Sequence, residues 1–265
     1  MILVLAGTKD GKELAAGLAG AGFEVLVSTA TPLGEELLKG IPGVAVCSGR
    51  LDEVSLEELI KGKGVLGVLD ATHPFAVEVT RNAARAAKRC GVPYLRWERA
   101  SASLPEDPLV HLVSSWERAA ERLASFGAKS VFLAVGVKPL RFFLEHPELR
   151  GCRFTARVLP TPESVDACRR LGLGLDRIIA MKGPGTLDLN RALLEACGSD
   201  ALVTKESGSE GGTEVKVNAA ISLGIPVIVV KRPEPELTFP VARSFEDVLR
   251  WAEGIVQMEK GCSEE

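Results

Sequence analysis

The sequence has no long apolar run. Its longest stretches, such as Ile225 to Val230, fall far short of the roughly 20 residues that a membrane-crossing helix needs, so no membrane span is expected. It has no basic excess either. With a net charge of -3 it lacks the balance of a duplex-binding protein, and nucleic acid is not expected as a partner, although a locally basic face remains compatible. The opening Met1-Ile2-Leu3-Val4-Leu5 carries no basic leader, so it reads as a buried strand rather than a signal peptide. None of the six cysteines (Cys47, Cys90, Cys152, Cys168, Cys197, Cys262) forms a C-x-x-C pair, and most fall in apolar segments. They read as free core thiols in a reducing cytosol. A cytoplasmic location and no metal site are therefore expected.

What is present is an alternation. The 265 residues, 46% hydrophobic and 25% charged, suffice for one large domain or two small ones. In the first part, nearly continuous apolar runs at Ile2–Ala6, Glu24–Thr29, Val44–Cys47, Val65–Asp70 and Tyr94–Trp97 alternate with helical patterns at Lys12–Ala21, Gly34–Lys39, Leu56–Lys61 and Ala76–Arg89. Strands of that kind are parallel and buried on both faces. Residues Ala100 to Pro108 lose the periodicity and read as a linker. The alternation then resumes, with Thr161-Pro162-Glu163 and Ser244 as helix starts. The expected fold class is α/β: two doubly wound, mostly parallel-sheet domains, 1–100 and 101–265, with a cleft between them. The long C-terminal helix is expected to close the second domain. His73 and Lys205 are expected on facing walls of the cleft.

Four segments carry candidate chemistry. Ala6-Gly7-Thr8-Lys9-Asp10-Gly11 ends the first strand, where a glycine lets backbone N–H groups approach a phosphate. It is not a full G-x-G-x-x-G, and a plain βα turn is the alternative. The second strand ends Val27-Ser28-Thr29-Ala30, without the acid that commonly holds the ribose of NAD, which tilts the expectation slightly from NADH to NADPH. Asp70-Ala71-Thr72-His73-Pro74-Phe75-Ala76 places one of only three histidines at a strand's carboxyl end, with Pro74 at the first turn of a helix that Thr72 or His73 caps. A structural cap alone is the alternative. The helix that follows aligns Arg81, Arg85, Lys88 and Arg89 on one face, either a solvated face or a landing site for a polycarboxylate. Last, Lys205 and Lys216 flank a loop that includes Ser207, Gly208, Ser209 and Gly211. Such a loop offers backbone donors, hydroxyls and two cations to one anionic ligand, or is a flexible solvent loop.

Together these segments resemble the precorrin-6A reductase family, including its cobalt-precorrin-6A branch. The resemblance covers nearly the whole chain. It rests on Val4-Leu5-Ala6-Gly7-Thr8, Ser48-Gly49-Arg50-Leu51, the Asp70 to Ala76 string, Tyr94-Leu95-Arg96-Trp97-Glu98-Arg99, Val131 to Gly136, Thr204-Lys205-Glu206-Ser207-Gly208 and Lys231-Arg232-Pro233. The string D-A-T-H-P-F-A is distinctive and the others are individually loose. Many members have two glycines where this chain has Ala6-Gly7, and asparagine where it has Glu206. The first departure bears on pyrophosphate contacts, the second on an amide hydrogen bond to substrate. The resemblance implies hydride transfer from NADPH or NADH to a carbon–carbon double bond of a tetrapyrrole-derived macrocycle, with a side chain or water as proton donor. It implies cofactor contacts at Gly7, Thr8, Lys9, Ser28, Thr29, Gly49 and Arg50. Substrate contacts are implied at Asp70, Thr72, Arg81, Ser207, Gly208, Thr213 and Lys216, and catalytic roles for His73 and Lys205, the latter as carboxylate anchor or proton donor. Composition and spacing alone give only a two-domain α/β ligand-binding protein. Two rivals stay open: a cofactor-free enzyme resembling uroporphyrinogen-III synthase, and a non-enzymatic nucleotide sensor. Oligomeric state is not read from the sequence.

Overall fold

The computed structural model describes residues 1–30, 32–38, 40–208, 210–234 and 238–262; Lys39, expected in a helix, and Ser209, expected in the loop, lie outside them. The strands are β1 (Ile2–Ala6), β2 (Val25–Thr29), β3 (Val44–Ser48), β4 (Gly67–Asp70), β5 (Tyr94–Trp97), β6 (Val110–Val113), β7 (Ser130–Ala134), β8 (Arg153–Val158), β9 (Ile178–Ala180), β10 (Ala201–Lys205), β11 (Val227–Val230) and β12 (Val241–Ala242). The helices are α1 (Lys9–Gly20), α2 (Pro32–Leu38), α3 (Glu53–Gly62), α4 (Val77–Cys90), α5 (Trp116–Ser125), α6 (Leu140–Leu144), α7 (Pro162–Arg170), α8 (Leu187–Ala196), α9 (Thr213–Ser222) and α10 (Phe245–Cys262).

Two six-stranded sheets result, in the orders β12-β5-β4-β1-β2-β3 and β6-β11-β10-β7-β8-β9, with every pairing parallel. The period of two along β1 sends Ile2, Val4 and Ala6 into one core with Leu14, Leu18, Val248 and Ala252, and Leu3 and Leu5 into another with Leu56, Ile60, Ala83 and Ala86. Helices thus cover both faces of the sheet. In the second sheet Phe132, Leu202, Val227 and Val229 form a core with Leu194, Val217 and Ala220. Thr161 accepts from the Ser164 amide at the head of α7 with Pro162 in the first turn, and the Ser244 hydroxyl accepts from Asp247 N at the head of α10, the two starts the sequence marks.

In each sheet the sixth place is filled from elsewhere in the chain. β6, which follows β5 in sequence, pairs with β11, and β12, which follows β11, pairs with β5 in the register Val241↔Arg96 and Ala242↔Trp97. The compact units are therefore Met1–Arg99 with Glu234–Glu265, and Ala100–Pro233. This corrects the expected span of 101–265 and the expected place of the last helix. α10 packs on the first unit because two glycines make room for it. A Cβ on Gly17 would lie 2.4 Å from the Phe245 ring, and one on Gly67 2.5 Å from Ile255 Cδ1.

The stretch Ala100 to Pro108 is a pinned strap rather than a free linker. Ala102 N donates to Glu206 Oε1 (3.0 Å), Ser103 N to Glu214 Oε1 (2.6 Å), and Ala100 O accepts from Arg232 (3.0 Å), while Leu104 packs on the second core.

Candidate cofactor and substrate sites

In the first unit, the turn after β1 is shaped by two glycines and a threonine. Thr8 caps α1: its Oγ1 accepts from Gly11 N (3.4 Å) and donates to Ala71 O (3.2 Å), joining the ends of β1 and β4. A Cβ on Gly11 would sit 2.7 Å from Ala6 Cβ, so only glycine lets α1 rest on the strand end. A Cβ on Gly7 would meet nothing within 4 Å, so the space before its backbone is open. Gly7 and Gly11 thereby meet two of the three demands of a dinucleotide turn, close approach and close helix packing, without the full motif. Lys9 is exposed and pairs with Glu13 at 3.4 Å. Asp10 was not singled out by the sequence. It is buried and accepts from Trp97 Nε1 (3.1 Å) and Arg99 Nε (3.0 Å), tying the first turn of α1 to the end of β5 and the chain just after it.

Ser28 and Thr29 are buried, and a Cβ on Gly34 would lie 3.0 Å from Thr29 Cβ, so these two side chains belong to the interior rather than to the rim. The rim there is made by Gly49, whose φ of +140° suits glycine and whose amide donates to Thr29 O (2.8 Å), and by exposed Arg50.

The Asp70 string folds around one carboxylate. Asp70 is fully buried, and Oδ1 accepts from Thr72 N (2.9 Å), Thr72 Oγ1 (2.7 Å) and Arg96 Nη1 (2.7 Å). Oδ2 accepts from Thr80 Oγ1 (2.7 Å) and Tyr94 Oη (2.8 Å). Burial first, then the Asp70 charge, push the Tyr94 hydroxyl far up, so it stays a donor. Arg96 also donates to Thr72 O (2.9 Å) and Thr72 Oγ1 (3.0 Å). Asp70 and Thr72 thus spend their polar atoms on each other, on β5 and on Thr80 of α4. The expected cap is also different: α4 starts at Val77 with no side-chain cap on Ala76, because Thr72 is taken by Asp70 and His73 caps a tighter turn. There His73 Nδ1 accepts from Phe75 N (3.1 Å), which places the proton of a neutral imidazole on Nε2. Arg81 is half-buried on α4, whereas Arg89 bridges to Glu53 (3.0 Å) and Glu57 (2.9 Å) of α3, so that end of the basic face joins two helices.

In the second unit the segment after β10 is a folded knot. Thr213 Oγ1 accepts from Ser207 N (3.0 Å) and lies 3.2 Å from Lys205 O, and the Ser207 and Thr213 hydroxyls are 3.3 Å apart. Gly208, at φ +76°, donates its amide to Glu206 Oε1 (2.9 Å). Glu206 also pairs with Arg232. Ser207, Gly208 and Thr213 therefore build the loop from within, in place of the flexible alternative. Gly212 has φ +62° and lies against Pro184, where any Cβ would collide at 2.0 Å.

The cations converge here with a third that no motif in the sequence marks. Arg157, buried on β8, donates to Asn190 Oδ1 (2.8 Å) and Pro184 O (3.4 Å). Lys216 is 5% exposed and donates to Gly211 O (3.0 Å). Burial pushes Lys205 down to about 8. Burial, then Arg157, then Lys205 push Lys216 down to about 7, and burial lowers Arg157 as well. Arg157 and Lys216 form a buried like-charged pair whose hydrogen bonds all go to neutral oxygens, an arrangement that favours an anion beside it. Among the described residues, no cluster of His, Cys, Asp or Glu could hold a metal ion, and no helix is long and apolar enough to cross a membrane.

The chain is an oxidoreductase built on two parallel sheets flanked by helices. A solved structure described as CobK precorrin-6A reductase superposes with a TM-score of 0.76 at 28% identity, covering 96% of each chain. A cobalt-precorrin-6A reductase of Priestia megaterium is 38% identical over 94% of this chain and 96% of its own. One from Salmonella typhimurium is 36% identical over 89% of each chain, and a precorrin-6A reductase of Rhodobacter capsulatus 32% over 94% of each. The family profile described as Precorrin-6x reductase CbiJ/CobK matches residues 1–253, and the chain belongs to that family.

Proposed function

We propose that this enzyme reduces a ring carbon–carbon double bond of precorrin-6A or its cobalt form in the cytoplasm, as a step of cobalamin synthesis, with NADPH preferred over NADH. The observation that carries the reading is the Arg157–Lys216 pair with Lys205 beside it. Arg157 and Lys216, buried with neutral hydrogen-bond partners, suit a substrate that brings its own acetate and propionate carboxylates. In the first unit, open space before Gly7 and the α1 amide groups suit a pyrophosphate, with Thr8 fixing the turn and Lys9 at its rim. Gly49 and Arg50 suit a 2′-phosphate, and the Ser28-Thr29-Ala30 strand end has no carboxylate to repel it. Ser28 and Thr29 contribute through the backbone.

The reduced nicotinamide supplies hydride when bound. His73 presents Nε2–H as a hydrogen-bond donor, and Asp70 and Thr72 act by holding its turn. Lys205 and Lys216 balance substrate charge, Arg81 offers one further cation, and Ser207, Gly208 and Thr213 keep the loop in shape.

Gly7→Val tests the cofactor assignment cleanly, because the added side chain enters open space and leaves the fold unstrained. NADPH affinity should fall at least tenfold, about 1.4 kcal/mol, with an unchanged melting temperature. Titration of the wild type with NADPH and NADH, then anaerobic assay with the tetrapyrrole, tests the whole reading. Absence of nucleotide binding would favour a cofactor-free enzyme, and binding without turnover a sensor.

A further inference from the structure

We propose that Lys216 is the proton donor of the reduction: its ammonium, held beside Arg157 at the head of α9, protonates the ring carbon adjacent to the one that takes the hydride. The inference rests on the substrate reading above. Adding hydride alone to a carbon–carbon double bond leaves an electron pair on the neighbouring carbon. That pair forms a C–H bond with a proton from Lys216 Nζ while the ring π bond breaks. The nicotinamide is oxidised, and the lysine is left as a neutral amine that regains its proton from water.

Other groups at these strand ends are poorly placed to give that proton. Glu206 accepts from Ala102 N, Gly208 N and Arg232, so its oxygens are committed as acceptors within the loop. Arg157 keeps its proton at any working pH and is fixed by Asn190 and Pro184. The Ser207 and Thr213 hydroxyls are engaged with each other and with the loop backbone. Lys216 has one of its three N–H donors fixed on Gly211 O at 3.0 Å, which orients the tip and leaves two for transfer and charge pairing.

Its surroundings suit an acid. The charges that act on it are Arg157 of β8 and Lys205 of β10, both positive. Asn190 of α8, which accepts from Arg157, is neutral, and β11, which pairs with β10, carries no charge. Nearby carboxylates are committed or outside: Glu214 to Ser103 N, Glu206 to Arg232, and Glu210 is exposed. A proton held near 7 is matched to transfer at neutral pH, whereas Lys205, at about 8 through burial alone, holds its own more tightly. A substrate carboxylate seated on Arg157 would also secure the Lys216 proton before the reaction begins.

The test uses NADPH and the tetrapyrrole with wild type, Lys216→Met and Lys216→Arg, measuring substrate affinity, single-turnover rate and pH profile. Both variants should lose about 100-fold or more in rate. Lys216→Arg, which keeps the charge, should hold substrate affinity within about fivefold of wild type, less than one factor-of-ten step in binding energy. The wild-type rate should fall as pH rises through the lysine's value, and that limb should vanish in the variants. A Lys216→Arg enzyme with wild-type kcat and a raised KM would make Lys216 an anchor and overturn the inference. So would a pH limb that survives in Lys216→Met. A wild type that does not reduce the tetrapyrrole would overturn the functional reading as well, which separates the two failures.

Discussion

Asp70→Ala should destabilise the protein by on the order of 3–5 kcal/mol, the usual cost of removing one partner of a buried ion pair. The carboxylate is 0% exposed and takes hydrogen bonds from Thr72, Arg96, Thr80 and Tyr94. Its loss would strand the Arg96 guanidinium in the interior with only the oxygens of Thr72 and the Asp70 carbonyl for company. Asp70→Asn should cost less, since it keeps the shape and two acceptor directions while losing the charge. Because the same carboxylate anchors the turn that carries His73, either variant should also slow turnover under conditions where it is folded. Urea denaturation reads the first effect. A loss for Asp70→Ala below about 1 kcal/mol, the worth of one ordinary hydrogen bond, would refute the hub.

Lys216→Met should do the opposite and stabilise the ligand-free protein. In the unfolded chain the ammonium has its ordinary value of 10.5, and in the fold it is held at about 7. Below about 7 both states carry the proton and the fold bears the whole penalty of a buried charge. Between the two values the folded state has released a proton that the unfolded chain still holds, so wild-type stability climbs with pH across that window. The variant has no such group and should lose that part of the slope. Lys205, also lowered, remains in both proteins, and because its charge acts on Lys216 the difference between them reads Lys216 together with that coupling. At pH 6 the gain should be on the order of a few kcal/mol. Urea midpoints at pH 6, 8 and 10 would decide it, and parallel curves for the two proteins would contradict the assignment. Stability given up at a working site is a common trade.

Local patterns carried much of the fold into view. Ile2 to Ala6 reads as a strand buried on both faces, and the structure buries all of it. Thr161-Pro162 announces α7 by chemistry that needs no distant partner. Interactions between remote segments are what the sequence hides. Asp70 and Thr72 look like ligand groups until Tyr94 and Arg96 arrive from β5 and use them up. The glycine loop after Lys205 looks flexible because Glu206, Arg232 and Thr213 close it through contacts no periodicity encodes. Arg157 did leave a trace. It is a lone charge inside Phe154-Thr155-Ala156-Arg157-Val158, a run otherwise fit for burial, and a charge there needs a reason. The place of α10 could not be read, because its unit is set by a two-residue strand, Val241–Ala242, too short to announce its partner.

The exchanged sixth strands have a consequence during synthesis. When the ribosome has made β1 to β5, the first sheet still lacks β12, and the edge of β5 has no neighbour. Leu14, Ala15 and Leu18 then lack Val248 and Ala252, and Tyr94 lacks the ring of Phe239, 5.3 Å away in the finished protein. All of these arrive only after the whole of the second unit has emerged. At roughly 5–20 residues per second, a bare strand edge and an uncovered apolar face persist for many seconds on the nascent chain. The half that is made first is thus completed last, and its early life is the interval in which the growing polypeptide is most in need of a chaperone's cover.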